Sequence, residues 1–100
     1  MENKIFVGTD LKFKLDITSP GFSMVTDEFE VDLSRGQNTI HFDKEDLVVD
    51  DHDNYYVCFS SLALGAGTVK ATITAHVPDD DFEDGFREEV YKFDLVSITR

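Results

Sequence analysis

Side chains along a strand alternate between its two faces, so a run with every second residue apolar marks a strand that rests one face on a core. Thr68–Leu95 holds the longest such run. Val69, Ala71, Ile73, Ala75 and Val77 are apolar, with Lys70, Thr72, Thr74 and His76 between them. Beyond an acidic loop, Tyr91, Phe93 and Leu95 alternate with Lys92 and Asp94. The pattern predicts two long strands in a hairpin, both contributing to the centre of the core. Leu11, Phe13, Leu15 and Ile17 alternate with Lys12, Lys14 and Asp16 and predict another strand. It is stopped by Thr18-Ser19-Pro20-Gly21, where proline fixes φ and glycine admits positive φ. Phe22 and Met24, in that loop, are expected to cover an edge of the core. Phe29, Val31 and Leu33 predict a further strand, Ser34–Gln37 a hairpin loop, and Thr39–Phe42 the return strand with Ile40 and Phe42 inward.

The remaining segments are shorter. Lys4–Val7 reads as a brief strand or arm within residues 1–10. Asp43 is placed to cap one helical turn, and Leu47-Val48-Val49 reads as a brief strand or plug. Asp50–Asn54 is a polar loop. Tyr55–Ser60 is apolar at nearly every position, as in a central strand or one covered on both sides. Ser60 or Ser61 is placed to cap a turn through Leu62–Leu64, ended by Gly65 and Gly67. Six or seven short strands with turn signals between them and negligible helix predict an all-β fold. The class is an antiparallel β-sandwich, Ig-like or similar, or a small barrel, with residues 1–100 as a single domain.

Composition narrows the partners more than the fold. Lys and Arg number 9 against 21 Asp and Glu, a formal charge of −12. A nucleic-acid backbone or an anionic membrane surface calls for clustered cations, so neither is an expected partner. Basic partners or cations are favoured. Cys58 is the single cysteine, so no intrachain disulfide forms; within YYVCFS it reads as a small buried hydrophobe. The opening MENKIFVGTD has no basic and apolar leader pattern, and no run reaches the eighteen apolar residues of a membrane span. A cytoplasmic protein, or a particle assembled in the cytoplasm, fits.

The sharpest local signal for chemistry is Asp79-Asp80-Asp81-Phe82-Glu83-Asp84-Gly85. Carboxylates on a flexible loop are hard oxygen ligands, which makes Asp79, Asp81, Glu83 and Asp84 candidates for calcium. The EF-hand spacing fails, because Asp84 stands at the glycine position and Val90 at the terminal glutamate position. The preferred reading is structural. Pro78 ends the strand, aspartates cap the turn, and Phe82 and Phe86 pack onto the end of the sheets, leaving residues 79–84 and Phe86 as a negative docking loop. Asp43, Glu45, Asp46, Asp50, Asp51 and Asp53 surround His52 in a second acidic segment, which strengthens that negative end if the two lie together. His41, His52 and His76 lack metal-ligand spacing, and with no phosphate loop, Ser/His/Asp set or Cys/His pair, no enzyme, cofactor or metal is expected. Strand edges remain. Edges that are not blunted serve for pairing with a partner, so a protein that docks into a larger, repeating structure is expected.

Three segments carry a resemblance. IFVGTDLKFKLDI, YYVCFSSLALGAG and HVPDDDFEDGFREEV are similar to small β-sandwich virion proteins of tailed bacteriophages and of prophages of gut bacteria. The first also resembles, more loosely, the N-terminal domain of baseplate upper proteins. The resemblance implies a virion structural component: a head decoration or head-fibre protein, or a tail or baseplate adaptor, present in multiple copies or as a homo-oligomer with other virion proteins as partners. It brings no catalytic or ligand residues, and the absence of a fibre-like extension favours an adaptor. The alternative is a free-standing acidic interaction or calcium-binding module. A carbohydrate-binding domain is disfavoured by the lack of tryptophan, with Tyr55, Tyr56 and Tyr91 the only tyrosines.

Overall fold

The computed structural model describes residues 4–100. Its strands are β1 (Ile5–Phe6), β2 (Asp10–Leu15), β3 (Phe29–Arg35), β4 (Asn38–Asp43), β5 (Val48–Val49), β6 (Tyr55–Ser60), β7 (Gly67–Pro78) and β8 (Phe86–Thr99). Two 3-10 turns, Lys44–Asp46 and Ser61–Ala63, interrupt them, and there is no α-helix among the described residues. The chain is all-β, as its alternation predicts. The strands beyond the expected six or seven are the two-residue β1 and β5, at the positions read as an arm and a plug. Residues 1–3 of the expected arm lie outside the described residues.

The strands form two sheets. The larger has the order β1-β8-β7-β3-β4 and the smaller β2-β6-β5. All neighbours are antiparallel except β1, which runs parallel to the last residues of β8, Ile98 and Thr99. β3 and β7 form the middle of the larger sheet: β3 lies between β4 and β7, and β7 lies between β3 and β8 over Lys70–Ala75. Val69, Ala71, Ile73, Ala75 and Val77 point from it into a single core with Val31 and Leu33 of β3 and Val57 of β6, all at or below 4% exposure. Phe22 and Met24 pack against this core from their loop, as expected.

Local chemistry explains the turns. Gly36 at φ 60° lets β3 return as β4 through a two-residue connection, so Arg35 pairs Asn38. Asp43 stands at the start of the first 3-10 turn, and its N–H donates to Asp46 Oδ2 at 2.9 Å. Ser60 caps the second by accepting from Leu62 N at 3.2 Å. Ser61, fully buried, is satisfied across the fold: its Oγ accepts from Gly8 N at 2.7 Å and lies 3.4 Å from the Phe6 carbonyl. At Gly67 a Cβ would come within 2.8 Å of Arg35 Cδ, because that arginine crosses the loop to donate to the Leu64 carbonyl.

Two expectations about burial are corrected. Cys58 is exposed. Tyr55, Val57 and Phe59 face the core, and Cys58 faces away beside Lys12, because β6 is central within its sheet but covered on one face only. Phe82 and Phe86 do not pack onto the sheet ends; they are 47% and 49% exposed. Phe86 pairs with Pro78, on the outer face of β8, and it is its neighbour Arg87 that turns inward, opposite Val77. Replacing Leu33, which is fully buried, by alanine is expected to cost about 2–5 kcal/mol in urea unfolding. Replacing Phe93, 42% exposed, by alanine is expected to cost well under half of what Leu33→Ala costs.

Candidate functional site

The larger sheet has five strands and the smaller three, and the inner surface of β8 is partly uncovered. Reading along that surface, Arg87, Glu89, Tyr91 and Phe93 lie opposite Val77, Ala75, Ile73 and Ala71. A register shift follows, with Asp94 opposite Lys70 and Val96 opposite Val69, and Ile98 then returns to the core. The Ser19–Phe22 loop reaches Arg87 and Glu89, and β1 pairs at Ile98 and Thr99. Between these two covers, Tyr91 and Phe93 remain 37% and 42% exposed. Tyr91 and Phe93 share the inner face as predicted, but Leu95 falls in the register shift, and β8 does not reach the centre of the core here, since no element of the described chain closes over Tyr91 and Phe93.

The uncovered surface is one wall of a groove of about 500 Å³, whose other wall is β2 and its continuation, from Phe13 to Thr18. Ile73 forms the floor. Lys14 and Asp16 are the only charged residues on the lining. Among the described residues both walls are strand edges without a further partner: there β2 pairs only with β6, and β8 from Phe86 to Val96 only with β7. The smaller sheet thus ends one strand early, at the place where a fourth strand next to β2 would lie over Tyr91, Phe93 and Leu95. An extended segment there would find unpaired backbone donors and acceptors on its edges and apolar side chains beneath it.

One end of this groove is held by an ion-pair network that sequence reading did not anticipate. The Arg87 guanidinium pairs with Asp79 and with Glu89 at 3.1 Å, and donates to the Pro20 carbonyl at 3.2 Å. Tyr91 Oη donates to Glu89 at 2.6 Å. The Ser19 hydroxyl, Tyr91 and Arg87 together lower the Glu89 carboxyl from 4.5 to about 2. Of the expected docking loop, Asp79 is therefore structural: it takes the Asp81 N–H and Arg87, both of which lower its pKa. Asp84 accepts from Phe86 N at 3.3 Å. Asp80, Asp81, Glu83 and Asp84 are exposed around Phe82 and Phe86. The calcium candidates Asp79, Asp81, Glu83 and Asp84 do not gather their oxygens at one point.

In the second acidic segment Asp50 is also structural. Its carboxylate takes both amide groups of Asn54, the His52 N–H and the Tyr56 hydroxyl, which holds its pKa well below the usual carboxylate range. The two acidic segments leave the sheets from the same end, since Tyr55, next to this loop, packs edge-on against Phe29, opposite Ala75 near the end of β7.

The histidines were read as lacking metal-ligand spacing, and in the fold His41 nevertheless stands among carboxylates. On the outer face of the β3–β4 hairpin its Nδ1 lies 2.6 Å from Asp32, and its Nε2 lies 2.9 Å from Asp43 and 3.9 Å from Glu30. Asp32 first and Asp43 second raise its pKa from 6.5 to about 9. The signal was present in the hairpin register. A two-residue turn places Asp32 opposite His41 and Glu30 opposite Asp43, whereas the four-residue loop read from Ser34–Gln37 shifts both pairs.

The Glu89 network gives a pH test. Its carboxyl is depressed in the folded state, so its contribution is fully present above pH 4.5 and is lost as pH falls through about 2. The melting-temperature difference between wild type and Glu89→Gln is expected to be largest above pH 4.5 and to close towards pH 2. A difference that stays constant across this range would contradict the network.

No family model matches the chain, and no curated protein or solved structure matches it, so the resemblance of the three segments rests on their residues alone.

Proposed function

We propose that this chain is a non-enzymatic docking domain that receives an extended strand from a partner protein in the groove between β2 and β8. The observation that carries the reading is the missing strand. The smaller sheet stops at a free edge where the larger one still offers an apolar inner face, at Tyr91, Phe93 and Leu95. A segment with apolar residues at every second position pairs its backbone with β2 and buries those residues against β8. The completed arrangement is an antiparallel β-sandwich of Ig-like type, four strands on five. The groove itself is nearly uncharged, so main-chain pairing and apolar contact supply affinity. The exposed acids of residues 79–84 and the chain's charge of −12 favour a partner whose flanking residues are basic.

The setting we propose is the virion of a tailed bacteriophage, where the domain acts as a head or tail adaptor in multiple copies and binds other structural proteins. The three similar segments support that setting. An assembly protein also needs what this fold offers, a pre-formed site whose affinity comes from backbone pairing and side-chain burial.

Selection from a library of random twelve-residue segments tests the reading. It is expected to return segments with apolar residues at alternate positions that slow hydrogen exchange in β2. Phe93→Arg, which places a charge in the groove at a residue already 42% exposed, is expected to weaken them at least about tenfold, as a desolvated charge does at an interface core. A library that yields no binder, or binders indifferent to Phe93→Arg, contradicts the proposed site.

A further inference from the structure

On the opposite face of the larger sheet, away from the groove, the β3–β4 hairpin groups four side chains on its solvent side. In the ladder Glu30 stands opposite Asp43, and Asp32 opposite His41. Like charges facing across an antiparallel pair repel each other, so a cation between Glu30 and Asp43 is favoured. Lys44, the nearest lysine in sequence, is directed elsewhere: its ammonium donates to the carbonyls of Val25 and Asp27 at 3.0 and 2.8 Å. The imidazole of His41 stands against three carboxylates. Even when protonated it leaves the face negative.

The arrangement has an order that a plain ion pair does not need. Asp32 engages Nδ1 at 2.6 Å and thereby turns the ring so that Nε2 points between Asp43 and Glu30. A carboxylate on the far nitrogen of a ligating histidine fixes its tautomer and raises its basicity as a ligand. One atom from each of Glu30, His41 and Asp43 falls within a 4.8 Å span. In tetrahedral zinc sites, arms of about 2.0–2.1 Å place neighbouring ligand atoms about 3.3 Å apart. The distances from Nε2 to the two carboxylates, 2.9 and 3.9 Å, bracket that spacing. Small side-chain rotations bring both to it. All four side chains are at least one-third exposed, so a fourth position is open to water.

We propose that Glu30, His41 and Asp43 bind a divalent zinc ion on the β3–β4 hairpin, with Asp32 as the positioning residue for His41. An imidazole with two carboxylates suits late first-row divalent metals and is a poor match to calcium or magnesium, which take oxygen ligands. The site is distinct from the acidic loop at residues 79–84 and shares no residue with the groove, so it stands or falls independently of the docking function. The ion offsets the repulsion between Glu30 and Asp43. It ties β4, the outer strand of the sheet, to β3.

The test is calorimetric titration of the full chain, stripped with EDTA, with zinc chloride at one fixed pH, accompanied by thermal melting. A saturable step at one zinc per chain and a rise in melting temperature are expected, because an ion that binds only the folded state stabilises it. His41→Gln and Glu30→Gln are each expected to lower the affinity at least tenfold. Asp32→Asn, which leaves every ligand in place, is expected to lower it about 10- to 100-fold. Excess calcium or magnesium is expected to leave the zinc step unchanged. Circular dichroism confirms that each variant is folded, and all the substituted side chains are partly exposed. The proposal is overturned if no 1:1 step is seen, if His41→Gln binds zinc as the wild type does, or if calcium displaces the zinc.

Discussion

The whole structure depends on β7 lying between two antiparallel neighbours with one face sealed. Val69, Ala71, Ile73, Ala75 and Val77 supply the apolar floor on which both sheets meet, and none is more than 4% exposed. Pairing with β3 on one side and β8 on the other satisfies the backbone of the strand where water is excluded. Two of its inward residues are alanines, and these leave room for Phe29 and Leu33 beside them on β3 and for the β6 side chains. The β7–β8 hairpin is long, and the smaller sheet cannot span it.

That difference in width is what makes a site. Sheets that match in extent cover one another, whereas here the third strand of the smaller sheet is the two-residue β5, on the far side of β6 from the groove. The Ser19–Phe22 loop and β1 act as stops at the two ends of the exposed strip of β8. The loop is fixed there by charge: Arg87 holds Asp79, Glu89 and the Pro20 carbonyl together. Those side chains are 18–29% exposed, so the pairs are less screened by water than surface pairs are. Their effect is positional, holding the Ser19–Phe22 loop at one end of the groove.

How much of this was legible in the sequence follows from the range of the interactions. Alternation is a local property, so β2, β3, β4, β6, β7 and β8 could be read from residues such as Leu11, Val31 and Ile73 without knowing their neighbours. Which strand lies beside which is not local. The run Tyr91-Lys92-Phe93 looks the same whether its apolar face is covered or bare, and only the strand order shows that Phe93 is bare. Cys58 was hidden for the same reason: YYVCFS is apolar at nearly every position, and its coverage depends on a sheet that packs on one side alone. Phe82 and Phe86 were expected to be buried as large aromatics are, yet the hairpin that carries them projects past the smaller sheet. His41 was hidden by register, since a two-residue turn sets Asp32 directly opposite it and Glu30 opposite Asp43, whereas a four-residue loop moves the pairing by two residues.

The central claim is that the inner face of β8 is open in the free chain and closes on a partner strand. The chain contains no tryptophan, so Phe93→Trp places a single reporter in the groove. In the dilute monomer its fluorescence is predicted to be that of a water-exposed indole, open to quenching by acrylamide, and to become shielded when a strand binds. Shielded emission in the free monomer would mean that β8 is already covered, and would contradict the account.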